Sequence, residues 1–278
     1  MVRRSILASV SLLLVACGDN KTPQPIHQPY DSGTLPQLSC VPNLDGQIDA
    51  TELQPALDNP VHYLVSPAGA TRQVDLAGQV DSQGHRVWDF GSDYADDQVA
   101  TITATGIAGK WYASSFPSAT FVAPFDAGDT LEAIYAYNTT AIVLLGLASR
   151  DPDGPGGKTL VSYAPPIALY QFPLHVGQSY QSSGTITNGT LRGLPYAGTD
   201  TYDIAVDASG QLTLEAYTFS QVLRVRTTAT VAPSAGQSIT TRQTSFFFEC
   251  FGEVARATSE PGETNDDFTT AAELRRLQ

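Results

Sequence analysis

From residue 60 onward, apolar and polar side chains alternate with a period of two. The clearest case is a run of nine residues, in which Leu223, Val225, Thr227, Ala229 and Val231 alternate with Arg224, Arg226, Thr228 and Thr230. Successive side chains of a β-strand point to opposite faces of the sheet, so this pattern predicts a strand with one buried face. The same pattern recurs along the chain, whereas apolar residues at helical spacing are scarce.

Short turn sequences rich in Gly, Asn, Asp and Ser separate these runs, as at Ser82-Gln83-Gly84, Asn188-Gly189 and Ser209-Gly210. Many short strands joined by such turns are typical of all-β proteins rather than of parallel α/β folds. We therefore predict an all-β fold with little helix, either an antiparallel sandwich or an open half-barrel. Residues 151–157 are rich in Pro, Gly and Asp, and they divide the prediction into two β units, 40–150 and 158–278.

The N-terminus carries a secretion signal. Arg3 and Arg4 precede an apolar run over residues 6–15, which is too short to cross a bilayer as a helix. The segment Leu14-Val15-Ala16-Cys17 resembles the lipobox of bacterial lipoproteins. The resemblance implies a signal peptide over residues 1–16, cleavage before Cys17 and attachment of diacylglycerol and an acyl chain such as palmitate to Cys17.

The residue after Cys17 bears on which membrane receives the protein. In the best-known sorting rule for lipoproteins, Asp at this position retains the protein in the inner membrane. Gly18 occupies it here, which favours the outer membrane and leaves open whether the protein faces the periplasm or the cell surface. Residues 17–39 contain four prolines and no periodic apolar pattern, so we interpret them as a disordered tether.

The chain is acidic, with 28 Asp and Glu against 15 Lys and Arg and a formal net charge of −13. Such a surface repels phosphates, which argues against nucleic acid as a partner. The remaining partners that we consider are the membrane, reached through the lipid anchor, an envelope protein and a glycan.

The chain has three cysteines. With Cys17 assigned to the lipid, Cys40 and Cys250 form an even pair in an oxidising compartment, which predicts a disulfide. Two buried free thiols are the alternative. The disulfide would join the start of the folded region to a late strand.

The second unit contains three segments that occur in a shared order in uncharacterised bacterial envelope lipoproteins. Phe172-Pro173-Leu174-His175-Val176-Gly177-Gln178-Ser179-Tyr180 resembles their FPLxxGxxW segment, Tyr217 to Val225 resembles GTFxxVxRV, and Gly252-Glu253-Val254-Ala255-Arg256 resembles GxVxR. Tyr180 stands in place of the usual Trp, and Tyr217 in place of Gly. The resemblance covers residues 165–257, implies an antiparallel β fold in the envelope and transfers no catalytic residue.

Two acidic segments are candidate sites. Residues 41–52 partly match an EF-hand loop, with Asn43, Asp45, Asp49 and Glu52 at ligand positions, but Val41 stands where the first Asp belongs. The functional interpretation is a calcium site. The alternative is an Asp-Gly turn followed by a helical turn that begins at Asp49, with Glu52 completing a capping box.

The other candidate lies downstream, where Asp93, Asp96 and Asp97 share a loop near Trp88. Carboxylates beside an aromatic ring are typical of glycosidases and sugar-binding sites, and also of any acidic surface loop. The sequence contains no recognisable catalytic set, so it predicts no cofactor other than this calcium ion. We expect a non-catalytic binding or structural role in the cell envelope. The alternatives are a carbohydrate-active enzyme that uses the Asp cluster and a carrier of an apolar ligand in a half-barrel.

Overall fold

The computed structural model describes residues 40–125, 128 and 130–278. The signal peptide, Cys17 and the tether lie outside this range. The described strands, in chain order, are Gln47–Ile48 (β1), Pro60–Val65 (β2), Arg72–Gln73 (β3), Gln79–Val80 (β4), Arg86–Asp89 (β5), Gln98–Thr103 (β6), Phe121–Pro124 (β7), Leu131–Tyr137 (β8), Ala141–Ser149 (β9), Leu160–Gln171 (β10), Leu174–His175 (β11), Ser179–Leu191 (β12), Leu194–Thr213 (β13), Thr218–Pro233 (β14), Ile239–Phe248 (β15), Gly252–Thr258 (β16), Thr270–Ala271 (β17) and Glu273–Leu277 (β18).

Fourteen of the described strands form one sheet. Its main path is β6-β2-β18-β16-β15-β14-β13-β12-β10-β9-β8-β7, and all pairs along it are antiparallel. The two end strands approach each other, because Thr105 and Val122 exchange backbone hydrogen bonds of 2.9 Å. The sheet is therefore nearly closed and barrel-like, which confirms the predicted all-β, half-barrel class.

Helical structure is almost absent from the described residues. One 3-10 turn spans Ala113–Ser115, and a single helical turn follows Asp49. The tail after residue 267 forms β17 and β18. β18 inserts between β2 and β16, so the first and last strands of the large sheet, in chain order, are neighbours.

The loop at residues 151–157 connects two strands that are hydrogen-bonded to each other, β9 and β10. Residues 40–278 form one compact unit by their contacts. The strands on either side of the Pro- and Gly-rich segment therefore belong to one continuous sheet.

Two turns predicted from Gly dipeptides are instead irregularities inside long strands. Ser209-Gly210 lies within β13, where the register with β14 shifts and β5 pairs in parallel. A Cβ at Gly210 would lie 2.2 Å from the carbonyl oxygen of Arg86, so only glycine allows β5 to approach this closely. Asn188-Gly189 lies in β12, where the register with β13 shifts.

The two faces of the sheet carry different buried clusters. We call the inner face the one that bears two clusters joined through Tyr202, which draw residues from β8 to β10 and from β12 to β15. The outer face bears the other two clusters. Phe247 belongs to the inner face and its neighbours Phe246 and Phe248 to the outer face, as the alternation in the sequence predicted.

Residues 40–53 cover one end of the sheet. β1 pairs with β11, and the Tyr137 hydroxyl donates a 2.6 Å hydrogen bond to the carbonyl of Ala50. The predicted disulfide is present between Cys40 and Cys250, with Cα atoms 5.6 Å apart. It joins this covering segment to the turn between β15 and β16.

Candidate ligand-binding site

The Asp cluster and Trp88, which the sequence suggested as a ligand site, do not form an open site, because Trp88 is buried. Trp88 is 1% exposed and packs edge-on against Phe246, with ring centroids 4.9 Å apart. Its indole N–H donates to the carbonyl of Leu76 at 3.0 Å. The ring is thus part of the outer-face core and presents no surface to a ligand.

The three aspartates of this loop have three different surroundings. Asp93 is exposed. Asp96 is also exposed and pairs with Arg72 at 2.8 Å. Asp97 is buried, and its carboxylate lies 2.7 Å from Arg72 and 2.5 Å from Arg276. Local sequence does not indicate these two arginines, because one lies 25 residues upstream of Asp97 and the other 179 residues downstream.

The second predicted site lies in the segment that covers the end of the sheet. The side-chain oxygens of Asn43 and Asp45 accept backbone N–H groups two residues ahead, at 2.8 and 2.9 Å. Glu52 accepts the N–H of Asp49 at 2.8 Å, which completes the capping box. Burial raises the pKa of Glu52, and the nearby carboxylate of Glu249 adds to this effect. Among the described residues, no group of three or more His, Cys, Asp and Glu side chains is arranged to hold a metal ion.

The structure reveals a charged group on the inner face that sequence reasoning missed. Arg256 and Glu253 form two parallel hydrogen bonds of 2.9 and 2.6 Å. The register between β15 and β16 shifts at Phe246 and Phe247, so that Glu253 lies opposite Phe247 and Arg256 opposite Ser245. This extra residue turns both charged side chains to the same inner face although they are three positions apart.

A second ion pair lies beside the first. Arg275 is the register partner of Arg256, and its guanidinium is 3.2 Å from Glu273. The same guanidinium lies over the ring of Tyr63, 5.9 Å from its centroid. Tyr63 donates a 2.9 Å hydrogen bond to the carbonyl of Glu253, and burial raises its pKa to about 12. We call Glu253, Arg256, Glu273 and Arg275 the inner charged group.

Part of the inner charged group is in contact with solvent. The side chain of Arg256 is 23% exposed and that of Glu253 is 13% exposed. Burial lowers the pKa of Arg256, but the attraction of Glu253 outweighs this and the pKa is raised overall. Arg256 is therefore positively charged, and water can still reach the pair.

Tyrosines from several strands line the inner face: Tyr63, Tyr135, Tyr163, Tyr170, Tyr180, Tyr196 and Tyr202. Of these, Tyr63, Tyr135 and Tyr170 lie close enough to the inner charged group for its charges to affect their pKa values. Burial raises the pKa of Tyr135 to about 12, with Arg256 partly offsetting the effect. It also raises the pKa values of Tyr170 and Tyr202. All three phenols are therefore neutral and can both donate and accept hydrogen bonds.

Tyr135, Tyr170 and Tyr202 are also half-buried rather than fully buried. Each lies among inner-face residues and yet retains surface that water can reach. None of their hydroxyl groups forms a hydrogen bond with a described residue. Three free phenols therefore lie on the inner face near the inner charged group.

Two fully buried polar groups on this face lack partners among the described residues. Asp200 accepts a 2.7 Å hydrogen bond from Tyr163 through Oδ2, but its Oδ1 has none. Burial raises the pKa of Asp200, and the Tyr163 bond partly offsets this. Arg275 is 4% exposed and its Nε is likewise without a partner. An unsatisfied buried polar group costs about 1–3 kcal/mol, and both atoms are shielded from solvent.

The outer face offers a groove of about 370 Å³ along β12 to β15, lined in part by Arg226 and Arg242. Their charges are already neutralised. Arg226 lies 2.7 Å from Asp207 and 2.5 Å from Asp267, and Arg242 contacts Asp266. The groove is open and both of its arginines are already paired with acids, so the inner face is the stronger candidate.

Comparisons with known proteins add no family or function. The chain matches no protein-family model, no curated protein and no solved structure at a significant level. Among the described residues, no helix is both long and apolar enough to span a membrane.

Proposed function

We propose that this protein is a lipid-anchored, non-catalytic binding protein of the bacterial outer membrane. Its anchor would be the acylated Cys17, and its ligand would bind on the inner face of the barrel-like sheet. The observation that carries the binding proposal is the partly exposed inner charged group beside Tyr135 and Tyr170, whose hydroxyl groups have no hydrogen-bond partner among the described residues. Ligand sites in proteins combine aromatic and apolar walls with a few well-placed polar groups, and this face has both.

The chemistry of the inner face supports binding of a polar ligand. Four charged side chains and several hydroxyl groups line it, whereas an apolar carrier requires a continuous apolar cavity. Glu253 is held by Arg256 in two hydrogen bonds. A carboxylate paired in this way is poorly suited to act as a general acid, which supports a non-catalytic role.

The anchor is tested by metabolic labelling with radioactive palmitate. We expect the full-length protein to incorporate label and Cys17→Ser to incorporate none, because the acyl chains depend on the Cys17 thiol and amine. The double variant Cys40→Ser/Cys250→Ser is the matched control, since it removes the other two cysteines and should stay labelled. Equal labelling of Cys17→Ser and the native chain would refute the anchor.

Access of solvent to the inner face is tested by hydroxyl-radical footprinting with mass spectrometry. Tyr217, which is 45% exposed, and Tyr112, which is 1% exposed, set the two limits. We expect Tyr135, Tyr170 and Tyr202 to be oxidised at rates between these limits. If all three are as protected as Tyr112, no ligand can reach the inner face and the proposed site is wrong.

A further inference from the structure

One end of the sheet carries a group of exposed apolar side chains. Val41, Leu44, Tyr217 and Phe251 are 66%, 46%, 45% and 53% exposed. Tyr217 lies in the turn between β13 and β14, and Phe251 lies in the turn between β15 and β16. Both turns are at the same end of the sheet, because β14 and β15 pair antiparallel and the start of β14 therefore lies beside the end of β15. We call these four residues the tether-end patch.

The two aromatic members of the patch are joined through buried rings. The ring centroid of Phe219 lies 6.1 Å from that of Tyr217 and 5.6 Å from that of Phe251. Phe248 lies beneath both phenylalanines, with its centroid 5.0 Å from Phe219 and 5.7 Å from Phe251. The exposed rings thus rest on an aromatic base that belongs to the outer-face core.

The two aliphatic members are held against the same turn. The disulfide between Cys40 and Cys250 brings Val41 close to the exposed ring of the β15–β16 turn, because each directly follows a bonded cysteine. The backbone N–H of Leu44 donates a 2.7 Å hydrogen bond to the carboxylate of Glu249 in that turn. The four side chains therefore form one apolar surface drawn from three segments of the chain.

This surface lies where the chain enters the described fold. Val41 directly follows Cys40, and residues 18–39 connect Cys40 to Cys17, the proposed site of acylation. An extended chain of this length spans at most about 80 Å, so the acyl anchor would keep this end of the sheet near the bilayer. Tethering of this kind raises the effective concentration of the bilayer at the patch, and weak contacts then suffice for binding.

The charge of this end determines which bilayer surface suits it. Segments 40–53, 172–178, 214–221 and 248–252 meet here and contain no Lys or Arg. Anionic lipid headgroups attract basic side chains, so they have nothing to attract in these segments. Exposed aromatic and aliphatic side chains instead enter the boundary between headgroups and acyl chains by apolar contact. A zwitterionic lipid surface matches this composition.

We propose that the tether-end patch docks onto the zwitterionic surface of the bilayer that holds the acylated Cys17. Docking would turn the opposite end of the sheet, which carries the β12–β13 turn, away from the membrane. This inference rests on the proposed acyl anchor and adds a second contact between the protein and its membrane.

The test is hydroxyl-radical footprinting of the acylated, full-length protein in phosphatidylcholine vesicles. Phe125 is the internal standard, because it is the same residue type as Phe251, is 45% exposed and follows β7 at the opposite end of the sheet. We expect Phe251 to be oxidised about fivefold more slowly than Phe125, since the docked ring is withdrawn from water. Addition of phosphatidylglycerol should not increase this protection, and high salt should not remove it.

The double variant Val41→Ser/Leu44→Ser removes the aliphatic half of the patch and keeps the disulfide. We expect it to reduce the protection of Phe251 by about threefold, because less apolar surface is buried on docking. Leu191→Ser/Leu194→Ser is the matched control. It removes two exposed leucines that flank the β12–β13 turn at the opposite end, so the protection should be unchanged. Urea denaturation confirms that each variant is folded.

The remaining outcomes overturn the proposal. Equal oxidation of Phe251 and Phe125 in the native protein excludes docking, and protection that Val41→Ser/Leu44→Ser leaves intact excludes the patch as its cause. Protection that is lost when the protein is diluted with excess lipid identifies a second copy of the chain as the covering surface. Protection that requires phosphatidylglycerol and is lost in high salt identifies charge attraction instead of apolar contact.

Palmitate labelling separates this proposal from the anchor on which it rests. If Cys17 is labelled and Phe251 is not protected, the anchor stands and only the docking is refuted. If Cys17 is not labelled, nothing holds the patch near a bilayer, and both the anchor and the docking are refuted.

Discussion

The two faces of the sheet both contain arginine, acid and aromatic side chains, but they differ in how these are packed. On the outer face, Arg276 is 1% exposed and lies between Asp97 and the carbonyls of Phe90 and Ser92. On the inner face, Arg256 has one acidic partner and keeps 23% of its side chain exposed. The outer arginine is fully enclosed and fully neutralised, whereas the inner one is partly open.

The difference follows from what covers each face. Residues 72–90 and 268–271 cross the outer face of β13 to β18 and bury it beneath Trp88, Phe90 and Phe268. On the inner face, residues 40–53 place Ile48 and Leu53 against the cluster that contains Phe247, while Arg256 keeps 23% of its side chain exposed. Buried ion pairs on the outer face thus hold the covering loops in place. The ion pairs on the inner face are only partly buried, so part of their polar surface remains accessible. Only the second arrangement suits a ligand.

The largest predicted loss in the free energy of unfolding is for Trp88→Ala. The indole is buried, packs against Phe246 and lies 5.4 Å from the Arg224 guanidinium. Its removal leaves a large cavity, so the free energy of unfolding should fall by about 4 kcal/mol. Tyr135→Ala on the inner face should cost only about half as much, because part of that ring is already exposed. Equal losses in urea denaturation would contradict the proposed contrast between the faces.

A pair of arginine variants compares the two faces directly. Arg276→Met leaves the buried carboxylate of Asp97 with Arg72 alone and two backbone carbonyls without a donor. We expect a loss of about 3 kcal/mol in the free energy of unfolding. Arg256→Met breaks a pair that water can reach, so its cost should be about 1 kcal/mol. Unfolding in urea measures both, and a larger loss for Arg256→Met would reverse the comparison.

The smallest expected effect is a change in the pH dependence of stability, and it concerns Asp200, whose Oδ1 has no partner among the described residues. Burial raises the pKa of Asp200 above its value in the unfolded chain. The folded state then binds the proton more tightly, so this residue lowers stability as the pH rises from the unfolded aspartate pKa, about 3.9, through the folded pKa. Asp200→Asn should remove that part of the pH dependence. Identical stability–pH profiles of the native and variant chains between pH 3 and 8 would show that Asp200 is not desolvated.

Much of the fold could be predicted from local pattern. The alternation around Leu223 and Phe247 identified strands and assigned neighbouring side chains to opposite faces, and the structure confirms this. The capping box of Asp49 and Glu52 also formed as predicted. Local pattern was misleading at Ser209-Gly210, where glycine serves the parallel approach of β5 rather than a turn. That approach involves residues more than 120 positions apart, which no local pattern contains.

The candidate site is formed by contacts between residues that are far apart in the sequence. Asp93, Asp96 and Asp97 stood out because they are close in sequence, yet the structure commits Asp97 to Arg72 and Arg276. Glu253 and Arg256 were visible only as part of a GxVxR-like segment. Their common orientation required a register shift, which a strict period of two does not predict.

The order of residues alone predicted that this chain forms strands and that Cys40 and Cys250 pair, and the structure confirms both. It also predicts an export signal with a lipobox-like end, which lies outside the described residues. These features follow from periodicity, cysteine number and local composition, and each can be recognised without a partner segment. Tertiary structure decided which face of the sheet is enclosed, which arginines are neutralised and which tyrosine hydroxyl groups stay free. Those outcomes depend on the strands and loops that meet across the sheet, because burial and ion pairing are properties of neighbours in space.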